Sequence, residues 1–196
     1  MLLPFKIDCF YLKGYNINMN QLEIRNKIKL LRNNLTAYEV KTLSEAVTKT
    51  VLNFDFLQEK SVFFIYNSIK NEVDTADIQN YLKVNNKTLT YPVVTDNGMV
   101  AAFPLSSETI KGAFGVTEPK EYKIFNEIDV CFVPLVACDL SKNRIGFGKG
   151  YYDRFLQKTP CLKIGLCYDF QVVDKIKPNE FDVPLDIIVT PTKIIK

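Results

Sequence analysis

The chain contains no histidine. That absence excludes any Ser–His or Cys–His nucleophile pair, any imidazole base and any His-ligated metal among its 196 residues. Nowhere does an apolar run approach the ~20 residues of a membrane span. The opening stretch M-L-L-P-F-K-I-D-C-F-Y-L-K is interrupted by Lys6, Asp8 and Lys13 and has no small-residue cleavage site, so no signal peptide is expected. Cysteines number five, an odd count with no C-x-x-C, and sit mostly in apolar runs. Buried reduced thiols in a cytoplasmic protein are expected, not a zinc site or disulfide framework. Internal repeats and low-complexity segments are missing. Net charge is +3, too little to point to nucleic acid.

What is present suits one globular unit. Hydrophobic residues make up 47% of the chain, enough at this length for a sizeable core. Asn20 with Glu23 has the spacing of a capping box, and Leu22, Ile28, Leu31 and Leu35 predict a helix over 20–34. Its polar face carries Arg25, Lys27, Lys29 and Arg32, by charge pattern a solvated face. Those cations lack an aromatic platform, which weakens a nucleic-acid reading further. Thr36 and Glu39 form a second capping box, opening a helix to about Asn53. Ser61–Tyr66 reads as a buried strand, Asp74 or Thr75 as the cap of a helix to about Lys83, and Asn97-Gly98 as a hairpin turn after a strand from Thr88. Further strands are expected at 130–137, at 162–167 and at the chain's end, around Asp186. Strands alternating with helices predict an α/β fold, a mostly parallel sheet covered on both faces in a Rossmann-like three-layer arrangement. Ligands of such sheets bind at the carboxyl ends of the strands, where loops 67–75, 112–119 and 143–153 would converge.

The third of those loops is the most informative. After the apolar run Val130–Ala137 come a polar turn, then R-I-G-F-G-K-G-Y-Y-D-R-F-L from Arg144, with Tyr151–Leu156 starting a helix. Glycines let backbone amides approach an anion, Arg144 and Lys149 add two cations, and Asp153 adds a carboxylate suited to magnesium carried with a polyphosphate. The segment is not a P-loop, since Lys149 precedes Gly150 where Ser or Thr is required, and it lacks the third glycine of the dinucleotide fingerprint. By spacing alone a phosphate loop and an ordinary glycine turn both stay open.

The whole stretch resembles the signature of the 5-formyltetrahydrofolate cyclo-ligases, R-x-G-x-G-x-G-Y-Y-D-x-x-L after a V-P-x-x-A-x-D strand, with Val133, Pro134, Ala137 and Asp139 in step. The resemblance runs from about Asn20 to Ile194 and implies ATP- and magnesium-dependent closure of 5-formyltetrahydrofolate to 5,10-methenyltetrahydrofolate. By it, Lys149 and Arg144 are catalytic. ATP would meet Gln21, Arg25, Arg144, Ile145, Gly146, Phe147, Gly148, Lys149, Gly150, Tyr151 and Tyr152. Folate would meet Asn67, Glu72, Phe114 and Tyr151, and magnesium Asp153 and Asp186. Two positions depart from the family pattern: Gln21 stands where it has lysine, and Phe181 where it often has histidine. Residues 1–18 precede the usual family start and are expected to be an extension, leaving one domain over 19–196. The substrate is expected to be 5-formyltetrahydrofolate, with or without a polyglutamate tail, and the protein a monomer or weak homodimer; no nucleic acid or membrane is expected as a partner. A non-catalytic folate or nucleotide binder and a sugar-phosphate isomerase on a similar sheet are the rival classes.

Overall fold

The computed structural model describes residues 19–196, the side chain of Phe114 excepted. The expected 1–18 extension lies outside the described residues. Both capping boxes form. Asn20 accepts from the amides of Leu22 and Glu23, and Glu23 returns an acceptor to the Asn20 amide, which starts α1 (Gln21–Asn33). Thr36 and Glu39 repeat the exchange at α2 (Ala37–Val51). A single turn, α3 (Phe56–Glu59), leads into β1 (Val62–Phe64), and α4 (Ala76–Val84) follows a loop. At that helix Asp74 takes the Ala76 amide, while the Thr75 hydroxyl donates to the Tyr66 carbonyl.

β2 (Thr88–Thr95) and β3 (Gly98–Pro104) form the expected hairpin. β4 (Thr109–Lys111) and β5 (Thr117–Pro119) flank a 3-10 turn at Ala113–Gly115, and β6 (Tyr122–Phe125) pairs with β3. The run Val130–Ala137 is not one strand: β7 (Val130–Pro134) ends at the proline, and β8 (Ala137–Cys138) pairs with β9 (Arg144–Ile145) in a separate ribbon. α5 (Tyr151–Leu156), β10 (Leu162–Leu166), β11 (Ile187–Val189) and β12 (Ile194–Ile195) complete the chain. Asp186 immediately precedes β11 instead of lying in a strand.

Eight strands form the main sheet in the order β12-β11-β10-β7-β1-β2-β3-β6. The inner five, β11 to β2, are parallel, and antiparallel strands close both edges. The period of two along a strand sorts the core into two layers. Phe63, Val130, Phe132 and Ile164 face α1, α2 and α4 with Ile24, Ile28, Val47 and Ile78. Phe64, Cys131 and Val133 face the other way, against Leu156 of α5 and Leu185. No described helix is long and apolar enough to cross a membrane.

Candidate active site

Beyond the carboxyl ends of β1 and β7 a cleft of about 500 Å³ opens, lined at its base by Tyr66 and Pro134. All three expected loops reach it: Asn67, Ile69, Lys70 and Glu72 from the first, Ala113, Val116 and Glu118 from the second, and the unbroken run Arg144–Asp153 from the third. Gln21, Arg25 and Lys29 add one face of α1. A wider hollow of about 870 Å³ adjoins it, shares Gln21, Arg25 and Asn179, and extends to Lys175 and Lys177.

The glycine loop is held from α1. Arg25 Nε donates to the Gly146 carbonyl at 2.9 Å, and its guanidinium carbon lies 3.5 Å from where a side chain on Gly148 would begin. Gly148 and Gly150 have φ of +97° and +67°, in the left-handed region that disfavours larger residues. Gly150 caps α5, which is only six residues long, so the helix dipole is small. The loop's anion-binding capacity therefore rests on its amides and cations. Lys149 is exposed, and no ion pair holds it among the described residues. Arg144 is buried and fully engaged at its two terminal nitrogens: Nη1 donates to the Val183 carbonyl and Nη2 pairs with Asp153 Oδ1 at 2.7 Å. Asp153 also accepts from the Val183 amide at 3.3 Å.

Glu72 sits opposite that loop. It is 5% exposed, and its Oε2 accepts from the Ile69 amide at 3.0 Å. Asn71 just before it has φ of +57°, a left-handed conformation that asparagine tolerates, and its amide donates to the carbonyls of Arg32 and Leu35. Burial pushes the Glu72 carboxyl up to about 7, against the opposing pull of Arg32, the Ile69 amide and Lys70. Among the described residues three buried side-chain atoms have no hydrogen-bond partner: Glu72 Oε1, Tyr152 Oη and Arg32 Nε. The first two belong to the cleft lining, and the third lies directly behind it. Buried polar atoms are rarely left unpaired, so orphans gathered at one cleft mark it as built for a polar ligand. Tyr152 is otherwise half core, its ring tilted against Phe64, and burial raises its phenol well above the usual range.

The comparisons with known proteins converge. The sequence pattern of the 5-formyltetrahydrofolate cyclo-ligase family matches residues 18–191. The chain belongs to the 5-formyltetrahydrofolate cyclo-ligase family. The Haemophilus influenzae 5-formyltetrahydrofolate cyclo-ligase is 34% identical over 179 residues, covering 85% of this chain and 96% of that protein. The Escherichia coli K12 cyclo-ligase is 27% identical over 178 residues, with 85% and 98% covered. Among solved structures, Aquifex aeolicus 5,10-methenyltetrahydrofolate synthetase superposes with a TM-score of 0.80 at 36% identity, covering 90% of this chain and 92% of that one. The Mycoplasma pneumoniae synthetase gives 0.73 at 29% identity, with 88% and 99% covered.

Within this cyclo-ligase fold, most of the residues singled out by resemblance line one cleft. Two do not. Asp186, expected to help hold magnesium, lies at the amino ends of β10 and β11, away from the cleft. Its Oδ2 accepts from the Lys163 amide at 2.7 Å and pairs with Lys163 Nζ at 2.8 Å, so the carboxylate is committed to neutralising a lysine. Phe181 is exposed, does not line the cleft, and accepts at its carbonyl from Gln157 Nε2. Gln21 does reach the cleft but spends its amide on the Lys177 carbonyl at 2.9 Å, tying α1 to the loop below. The backbone of Phe114 lies in the 3-10 turn at the cleft's edge; its side chain is outside the described residues.

Other members of the lining went unread in the sequence. Glu118 is buried, its carboxylate raised by burial and held by the amides of Val94 and Ala113, and it packs so closely on Gly112 that a side chain there would begin 1.9 Å from its carboxyl carbon. It belongs to the G-x-x-G-V-x-E-P segment, where an acidic residue following two glycines was the available signal. Arg32 is the larger correction. Assigned to a solvated face, it is 1% exposed, whereas Leu22, part of the apolar spacing that predicts the helix, is 59% exposed. The buried stripe of α1 runs Ile24, Ile28, Arg32, so four-residue spacing placed the arginine inward.

Proposed function

We propose that the protein closes 5-formyltetrahydrofolate to 5,10-methenyltetrahydrofolate at the expense of ATP. One observation carries this beyond family membership: the glycine loop with its cations and the buried Glu72 line the same 500 Å³ cleft, so a polyphosphate and a polar heterocycle can lie side by side. The reaction needs that adjacency. A formamide oxygen is a poor leaving group; taking the γ-phosphoryl group of ATP makes it a good one. The formyl oxygen attacks the γ-phosphorus and ADP leaves. Nitrogen 10 then attacks the activated carbon and loses its proton, and phosphate departs with the electron pair of the C–O bond.

In-line phosphoryl transfer depends on positioning and charge neutralisation more than on a strong base, which suits a chain without histidine. Arg25, Lys149 and the amides of Gly146–Gly150 bind the phosphates. Arg144 supplies positive charge from beneath, anchored to Asp153 and Val183. Glu72 accepts hydrogen bonds from the reduced pterin, whose ring and amino nitrogens are donors, while Asn67, Phe114 and Tyr151 flank the ring. The donor set around the loop is too sparse for a cage of protein ligands: no three acidic or sulfur side chains converge among the described residues. It does suit magnesium that keeps its waters and arrives on ATP, with Asp153 the carboxylate to meet its water shell. Magnesium, when bound, neutralises charge developing on the phosphate oxygens. Reduced thiols at Cys131, Cys138, Cys161 and Cys167 fit a cytoplasmic setting, and the protein acts on 5-formyltetrahydrofolate as a monomer or weak homodimer.

The test is spectrophotometric. Purified protein with 5-formyltetrahydrofolate and magnesium gives the near-ultraviolet absorbance of the methenyl product only when ATP is added. Folded protein that binds ATP and folate yet yields no product would make it a binder.

A further inference from the structure

Arg32 does not line the cleft, yet it touches both halves of it. Its guanidinium carbon lies 5.5 Å from the ring centre of Phe147, in the glycine loop, on a ring that Lys29 also approaches at 5.1 Å. Its Nη1 lies 3.9 Å from Glu72 Oε1 and makes a long hydrogen bond, 3.4 Å, to the Leu135 carbonyl just past β7. Its own carbonyl accepts from Asn71, the residue before Glu72. A guanidinium this deeply buried is ordinarily matched by several short hydrogen bonds. Here Nε has none among the described residues, and neither has the facing Glu72 Oε1. Folding alone does not account for so loosely satisfied a cation, since an apolar residue would fill the Ile24–Ile28 stripe at lower desolvation cost.

We propose that Arg32 is a positioning residue that fixes the Glu72 carboxylate for the substrate and favours its charged form, with Phe147 of the glycine loop clamping the guanidinium from the nucleotide side. The inference rests on the folate-contacting role given to Glu72. Other groups bear on that carboxylate from each packed element: Lys70 from its own loop, Tyr66 from the segment after β1, Tyr152 from α5 and Tyr168 from the segment after β10. Of these only Lys70 is a cation, and it is exposed. Arg32 is the buried one. Removing it deprives Glu72 of its chief charge partner, so its ionisation moves to higher pH.

The experiment compares kcat/KM against pH for the wild type, Arg32→Met, Arg32→Lys, Glu72→Gln and the Arg32→Met/Glu72→Gln double variant. The wild-type acidic limb is expected near pH 7. In Arg32→Met it moves up by about one pH unit, a roughly fivefold loss at pH 7 that shrinks toward pH 9. Arg32→Lys, which keeps the charge and loses the planar fork, falls between the two. Glu72→Gln loses the limb, and adding Arg32→Met to it costs no more than about twofold further. An unmoved limb in both Arg32 variants, or losses that multiply in the double variant, would overturn the positioning role. Wild-type kcat/KM in Glu72→Gln would instead overturn the folate contact beneath it. If Arg32→Met does not fold, the limb of Arg32→Lys and its additivity with Glu72→Gln decide the matter alone.

Discussion

Glu72→Gln is expected to make the protein more stable and less active, and to do so in a pH-dependent way. The carboxyl is held near 7 in the folded protein against an ordinary value of 4.5, chiefly by burial. A raised carboxylate pKa means that the folded state favours the proton. Its contribution to stability is therefore complete below pH 4.5 and is lost as pH rises from there through about 7. The gap corresponds to about 3 kcal/mol held against the fold at pH 8. Glutamine stays neutral throughout and keeps an acceptor for the Ile69 amide. Its NH2 group, however, faces the Arg32 cation, which removes part of the gain and leaves about 1–3 kcal/mol. At this chain length that raises Tm by roughly 2–12 °C at pH 8 and by little at pH 5. Loss of one charge-assisted hydrogen bond to substrate lowers kcat/KM by roughly 10- to 150-fold. Thermal denaturation at the two pH values, with kinetics alongside, reads both effects. A variant destabilised equally at pH 5 and pH 8 would show that the Arg32 pair outweighs desolvation and that Glu72 is a structural ion.

Three further outcomes are expected. Lys149→Ala, at an exposed position, leaves Tm within about 1 °C and lowers kcat/KM for ATP by about 100-fold or more, measured by methenyl formation at varied ATP. Gly112→Ala drives the Glu118 carboxylate off its seat; with a contact of 1.9 Å to relieve, stability falls by about 1–3 kcal/mol in denaturant titration and KM for folate rises. Asp186→Asn leaves the magnesium dependence of the rate within about twofold of wild type, whereas Asp153→Asn, which unpairs buried Arg144 (side chain 3% exposed), costs about 2–3 kcal/mol of stability and alters that dependence.

Local signals in the sequence carried the elements furthest. Capping boxes at Asn20 and Thr36, the Asn97-Gly98 turn and the helix at Tyr151 depend on neighbours within four residues, and each formed as its spacing required. Strands with little burial to impose a pattern were illegible: β4 is exposed at every position and β12 has two residues, neither buried. The run through Pro134 read as continuous because hydrophobicity does not report where hydrogen-bond partners change. At the site, the resemblance named the glycine loop and Glu72, and the three loops expected to converge do line one cleft. Asp186 misled because its motif neighbours, Pro184 and Leu185, fix only its place in sequence; its partner Lys163 is 23 residues away. Arg32 misled in the opposite direction, since charge suggested solvent while the four-residue stripe through Ile24 and Ile28 led into the core.

The central claim is that ATP activates the formyl oxygen within this cleft, and an isotope follows that atom directly. 5-Formyltetrahydrofolate carrying oxygen-18 in its formyl group, turned over with ATP and magnesium, is predicted to yield methenyl product, ADP and phosphate that carries the label in one-to-one ratio. Unlabelled phosphate, or product formed equally well without ATP, would contradict the account.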